Sequence, residues 1–387
     1  VVLSSKGELL YCSPKSKNLG DCLQEDSKKI YFDNFTEKAR IKSEDCSNCI
    51  HDYHEAETVK SILKELNSSL IWRLFQKPAL FSLIPLFIKN YQNEDYIFIT
   101  GWYGTETVGD KAILASIVQN YQSINPNQKF IISSLYPFVT ERTVKELNIN
   151  AEIVNVYSLD YLKAIMRSHT IIMGGGPLMD LDCMYIPLSA FYIAKRLKKK
   201  TIIYGCGLGP LKKNKYLKIT QKILTYADMI QVRDSRSKAW AESFGNNKKI
   251  TLAPDPAIDY IKKISQEITV SQKKHLACFL REWPKEYKGE LTINEYLTLK
   301  ETFYLGLSNH IKRTAKEQNL EIYFYSMHTF CVGNDDRDFY RWFAKKYFSD
   351  QKVTIIKSPS SVNQIVKAMK NSELNMCMRF HSVAFAH

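Results

Sequence analysis

The chain has 387 residues, 45% of them hydrophobic and 24% charged, which is a globular composition too long for one ordinary core. Lys and Arg number 54 against 40 Asp and Glu, so the formal net charge is +14. That excess suits an anionic substrate, a polyanionic acceptor, nucleic acid or an acidic membrane surface, and the basic residues are too dispersed, with no accompanying motif, for a nucleic-acid partner to be expected.

Residues 1–58 carry few periodic segments and four of the nine cysteines, Cys12, Cys22, Cys46 and Cys49. Cys46 and Cys49 have the spacing that brings two thiolates to one metal, with His51 and His54 close behind. Zinc, an iron–sulfur cluster and unligated thiols all fit. Cys183, Cys206, Cys278, Cys331 and Cys377 stand singly among apolar residues, as reduced thiols do in a reducing compartment. The expectation is a cytoplasmic protein, with peripheral association at the inner face of the membrane allowed by its charge. The opening "VVLSSKGELLYCS" has no initiator methionine and no charged n-region, so a fragment of a longer chain is expected.

Residues 59–92 read as a helical linker, with helical spacing on either side of Pro78 and a break at Pro85. Its apolar run "ALFSLIPLFI" falls short of the roughly 20 residues that span a bilayer, so no transmembrane segment is expected. From residue 93 short apolar runs alternate with amphipathic helices. "YIFIT", "KFIISS", "EIVNV", "TIIMGGG", "KTIIYGCGLGP" and "MIQVRD" read as the strands of one Rossmann-like domain over 93–264. A break follows "TLAPDPAIDYIKKISQE", and then the alternation resumes. A second Rossmann-like domain over 265–387 uses "HLACFLREW", "LEIYFYSMH", "KVTIIKS" and "LNMCMRFHS", the last a strand running into a loop. The fold class is α/β, with two facing Rossmann-like domains (GT-B-like), a small cysteine-rich N-terminal appendage, and a ligand cleft between the carboxyl ends of the strands.

Three glycine-rich turns follow strands of the first sheet, with Gly101, Gly104 and Gly109, then Gly174, Gly175 and Gly176, then Gly205, Gly207 and Gly209. Such turns let a phosphate or carboxylate approach backbone N–H groups. Arg379 and His381 lie two positions apart, so on an extended segment both project to one side and can hold an anion and move a proton at one point. Asp110 suits either a base or a helix N-cap, Arg233 with Asp234 either an anion site or a surface pair, and Arg281 a second arginine at a strand end. Asp255 reads as a turn residue between prolines, and Tyr325, Met327 and His328 as core or cleft lining.

The ordered set "GWYGTETVGDKAIL", "GGGPLMD", "GLGP", "VRDSRS", "APDPAI", "LREW" and "MRFHSVAFAH" resembles the polysaccharide pyruvyl transferase family over roughly residues 95–387. "GELLYCSPKSKNLGD" and "CSNCIHDYHE" resemble a radical SAM SPASM-type extension, which implies cluster ligation by the four N-terminal cysteines. The first resemblance implies transfer of a pyruvyl group from phosphoenolpyruvate to a saccharide of the cell envelope, forming a ketal, with no metal or nucleotide cofactor. It implies that Arg379 and Arg233 bind the anionic groups, that His381 is the general acid, and that Asp110 is the base or orients the acceptor. Arg281, Gly104, Gly109, Gly174, Gly175, Gly176, Gly207 and Ser382 would complete the substrate site. Thr107 and Lys111 depart from the family pattern, which carries asparagine and an acidic residue there. A glycosyltransferase using a nucleotide sugar and a noncatalytic glycan-binding module fused to a radical SAM protein are the alternative readings.

Overall fold

In the computed structural model, residues 94–387 are described apart from 246–249, 271–274, 331–333, 359 and 387. Of the first 93, those described are 2–3, 8–10, 18–21, 24 and 30. The chain divides into two units, Val1–Leu70 and Ile71–His387. In the first unit β1 (Val2–Leu3), β2 (Glu8–Leu10) and β3 (Asn18–Asp21) form an antiparallel sheet in that order. Cys12, Cys22, Cys46, Cys49 and the linker over 59–92 lie outside the described residues. No cluster of three His, Cys, Asp or Glu able to hold a metal occurs among the described residues. No described helix is long and apolar enough to cross a membrane.

The second unit holds two wholly parallel sheets. In chain order the first contains β4 (Tyr96–Thr100), β5 (Lys129–Ser134), β6 (Glu152–Asn155), β7 (Thr170–Gly174), β8 (Lys200–Cys206), β9 (Met229–Val232) and β10 (Ile250–Leu252). They are arranged β10-β9-β8-β7-β4-β5-β6, so the strand order reverses between β4 and β7. The second sheet contains β11 (His275–Phe279), β12 (Glu321–Phe324), β13 (Val353–Ile355) and β14 (Leu374–Cys377), arranged β13-β12-β11-β14, with its reversal between β11 and β14. The near-continuous apolar runs of β4, β7 and β11 are those of parallel strands covered on both faces.

Helix α1 (Val108–Ile124) explains how the two sheets meet. Every residue from Val108 to Val118 is buried, Asp110 and Lys111 included, because this helix is enclosed on all sides. It packs against α7 (Ala257–Glu267), α10 (Val362–Asn371) and α11 (Phe380–Ala386). One continuous core therefore joins Ile99, Ile132 and Ile172 of the first sheet to Ala277, Phe279 and Met327 of the second. A separate core of Tyr304, Phe324, Tyr340 and Phe343 fills the other face of the second sheet. There α8 (Ile293–Glu317) and α9 (Asp336–Tyr347) pack.

One strand goes unread in the sequence and one expectation needs correction. β10 adds a seventh strand at the edge of the first sheet. The terminal "RFHS" is not the end of a strand: β14 stops at Cys377 and α11 begins at Phe380, with Val383 N–H donating to the Arg379 carbonyl at 3.1 Å.

Candidate active site

The reversal points of both sheets open onto one cavity of about 410 Å³. Trp102 follows β4, Gly176 follows β7 and Arg233 follows β9, while Arg281 follows β11, Met327 and His328 follow β12, and Arg379 and His381 follow β14. Gly176, at φ +70°, could carry no side chain, because a Cβ would lie 1.5 Å from Trp102 Cδ1. A neighbouring hollow of about 610 Å³ shares Met179, Leu181, Arg281 and Tyr287 with the cavity and adds Asp180, Lys212 and Asn334.

Three arginines converge here, each held differently. Arg379 meets the buried Asp336 with two nitrogens, Nε at 3.0 Å from Oδ2 and Nη2 at 2.5 Å from Oδ1. Asp336 Oδ2 also accepts from the backbone N–H of Met327 at 3.0 Å and of His328 at 2.9 Å. Arg233 Nη1 lies 2.9 Å from Asp255 Oδ2, and its guanidinium stacks over the Phe380 ring, 4.0 Å from the centroid. Arg281 has no carboxylate within ion-pair range among the described residues. It lies over Tyr287 at 5.3 Å and donates from Nε to its neighbour's carbonyl, that of Glu282, at 3.3 Å. Burial and the nearby Arg379 charge lower its pKa, a cost that a bound anion would offset.

His381 sits between the domains. Its Nε2 lies 3.6 Å from Asp255 Oδ2, an ion-pair contact longer than a hydrogen bond. Its Nδ1 side faces the bare Cα of Gly109, where a Cβ would come within 2.1 Å. Asp110 is the third residue of α1, and the position before the helix is Thr107, so the N-cap reading of Asp110 fails. Burial raises its pKa to about 6, although the charges of His381 and Arg233 and a bond from Gly176 N–H pull downward. Asp255 is also buried, which alone would raise its pKa, but His381, Arg233 and the N–H of Ala257 outweigh that and leave it lowered.

The remaining candidates fall around this centre. Gly109 and Gly176 line the cavity. Gly175 lies against Asp110 and Tyr103, Gly174 against Ile117, Gly207 beneath Arg233, and Gly104 against Ser134 and Tyr136. Ser382 is fully buried and its Oγ donates to the Arg379 carbonyl at 2.7 Å, so it braces the start of α11 and is absent from the cavity lining. Asp234 caps α6 (Ser235–Ser243) by accepting from Ser237 N–H at 2.7 Å, which replaces the surface pair with Arg233. Asp255 does form the expected turn, its Oδ1 accepting from Ala257 N–H at 3.0 Å, while Oδ2 serves the site. Tyr325 stacks on Phe279 in the core.

Thr107 and Lys111 belong to the joint between the domains. Thr107 Oγ1 lies 3.0 Å from His328 Nδ1. Lys111 is 4% exposed, with Nζ 2.9 Å from Glu106 and 2.7 Å from Glu146. Glu146 Oε1 in turn accepts from Val362 N–H in the second domain at 2.8 Å.

A family model described as polysaccharide pyruvyl transferase matches residues 108–387. No curated protein matches the sequence. Among solved structures, UDP-GlcNAc 2-epimerase from Methanocaldococcus jannaschii is similar at 14% identity and a TM-score of 0.51, over 75% of this chain and 80% of that one. UDP-GlcNAc 2-epimerase from Neisseria meningitidis bound to UDP-GlcNAc gives 13% identity and 0.46, over 72% and 77%. The wall teichoic acid polymerase TagF gives 14% identity and 0.44, over 83% and 74%. The epimerase from M. jannaschii speaks for the two-domain fold alone. The family match covers most of the chain and takes in α1, Arg233, Arg281, Arg379 and His381, and by it the chain belongs to the polysaccharide pyruvyl transferase family.

Proposed function

We propose that this protein transfers the pyruvyl group of phosphoenolpyruvate to two hydroxyls of a saccharide, closing a cyclic ketal. The observation that carries the reading is the convergence of Arg233, Arg281 and Arg379 with His381 on one cavity, beside the buried carboxylate Asp110. A phosphate and a carboxylate on one small molecule call for forked donors, which arginine supplies. Arg281, the least compensated of the three, takes one anionic group, and Arg379 and Arg233 take the other.

His381 delivers a proton to the methylene carbon, which leaves C2 electrophilic. An acceptor hydroxyl adds to C2 as Asp110 takes its proton; phosphate then leaves with its electron pair and a second hydroxyl adds, releasing another proton. The balance is one phosphoenolpyruvate and two hydroxyls giving one ketal and one hydrogen phosphate. The saccharide occupies the neighbouring hollow, whose lining adds Asp180, Lys212 and Asn334 as polar partners for sugar hydroxyls.

Calorimetry with phosphoenolpyruvate should show binding that weakens as salt rises, together with phosphate release when saccharides are supplied. Binding of a nucleotide sugar with none of phosphoenolpyruvate would replace this reading with a glycosyltransferase, and binding of glycan alone with a noncatalytic module.

A further inference from the structure

The structure assigns Asp255 as the residue that fixes the tautomer of His381: it keeps the proton on Nε2, so that Nδ1, the nitrogen over Gly109, exchanges the working proton. Four observations lead there. His381 Nε2 is buried and makes no hydrogen bond, and the carboxylate in ion-pair range of it among the described residues is Asp255, at 3.6 Å. Asp255 cannot swing away, because Oδ1 holds Ala257 N–H at 3.0 Å and Oδ2 holds Arg233 Nη1 at 2.9 Å. Its side chain is 2% exposed, so water screens little of its charge at Nε2. Nδ1 faces Gly109, a residue of the cavity lining.

A proton on Nε2 is thus held by an anion, and Nδ1 is left toward the cavity lining. This is how a carboxylate sets an imidazole's tautomer and leaves the opposite nitrogen to do the chemistry. Asp255 acts through His381 and Arg233, which makes it a positioning residue. It lies on the first domain and His381 on the second, so the tautomer is set only while the two domains are together. The lowered pKa of Asp255 keeps it charged in the working range.

The role of the proton in catalysis rests on the pyruvyl-transfer reading, whereas the tautomer does not. Nitrogen-15 NMR of the full chain without ligand, at a pH where His381 is neutral and assigned by its absence from His381→Gln, should show Nε2–H with that proton exchanging slowly. Imidazole in water prefers this tautomer modestly, so the comparison with Asp255→Asn decides: the Nδ1–H form should gain at least roughly tenfold, equivalent to about 1.4 kcal/mol. A neutral His381 carrying its proton on Nδ1, or an unchanged ratio in a folded Asp255→Asn, overturns the inference. Should that variant not fold, the wild-type spectrum still decides, since a rapidly exchanging or absent Nε2 proton is incompatible with a carboxylate holding it. Failure of phosphoenolpyruvate to bind in calorimetry would count against the donor and leave the NMR result standing.

Discussion

Arg379 reaches the cavity already paired with Asp336, which it meets through Nε and Nη2. The same carboxylate gathers the N–H groups of Met327 and His328, so one buried anion sets the position of an arginine after β14 and of the loop after β12. What remains of the guanidinium is aimed rather than free to search for a ligand, and aim reduces the entropy lost on binding.

Removing the two partners should therefore differ in effect. Arg379→Ala leaves the buried Asp336 with two backbone donors but no cation, and it should weaken phosphoenolpyruvate binding as well as cost stability. Asp336→Ala strands the arginine and both N–H groups, and it should cost roughly 3–5 kcal/mol, the range for breaking a buried pair. Thermal melts rank the two variants and calorimetry separates binding from stability.

His381→Ala should lower turnover by roughly 10²-fold or more, since general acid catalysis commonly contributes that much. On the proposed reading the arginines hold the donor, so its dissociation constant should move little. Near-normal turnover in a folded variant would make the histidine structural.

Asp110 gives a pH signature. As the base it must be ionised, so kcat/KM should rise with pH through about 6, and Asp110→Asn should lose both activity and that limb. Stability runs the other way. A carboxyl raised from 3.8 to about 6 binds its proton more tightly in the folded state, so its contribution is fully present below the unfolded value and is lost as pH rises through the folded one. Asp110→Asn should accordingly melt higher than wild type at pH 8 and match it near pH 4, as differential scanning fluorimetry across pH will show.

Lys111→Met should destabilise strongly, by roughly 3–5 kcal/mol, because it removes the buried cation shared by Glu106 and Glu146 and leaves Arg142 alone to hold Glu106. Adding Glu106→Gln should recover part of the loss, and denaturant melts of the single and double variants measure it.

Much of the fold was legible because parallel strands covered on both faces read as apolar runs, and their alternation with helices fixes the class. The site was legible where glycines and arginines follow strands, as with Gly176, Arg233, Arg281 and Arg379. What escaped was the partner carboxylates. Asp336 stands in "DDRD" at the start of α9, where acidic residues are ordinary helix-start chemistry, and nothing local says that it points inward to an arginine 43 residues on. Asp255 looked like a turn former and is one, with a second oxygen left for another task. Lys111 read as a departure in the ligand loop because one sequence does not reveal that α1 is enclosed all round. "RFHS" was misread because β-like alternation over so few residues cannot be told from a first helical turn.

Part of the joint between the two domains is written in main chain. Val108 N–H donates to Met327 O at 3.0 Å and Thr329 N–H to Glu106 O at 3.4 Å, so the loop before α1 and the loop after β12 are stitched by groups that every residue except proline carries. These two stitches do not depend on side-chain identity, unlike the contacts that Lys111 and Glu146 make at the same joint. Thr107 contributes one side-chain bond, to His328, and a substitution there leaves both stitches intact. Substitution at 107 or 328 would therefore change the side chains that line the cavity without removing either main-chain bond across the seam.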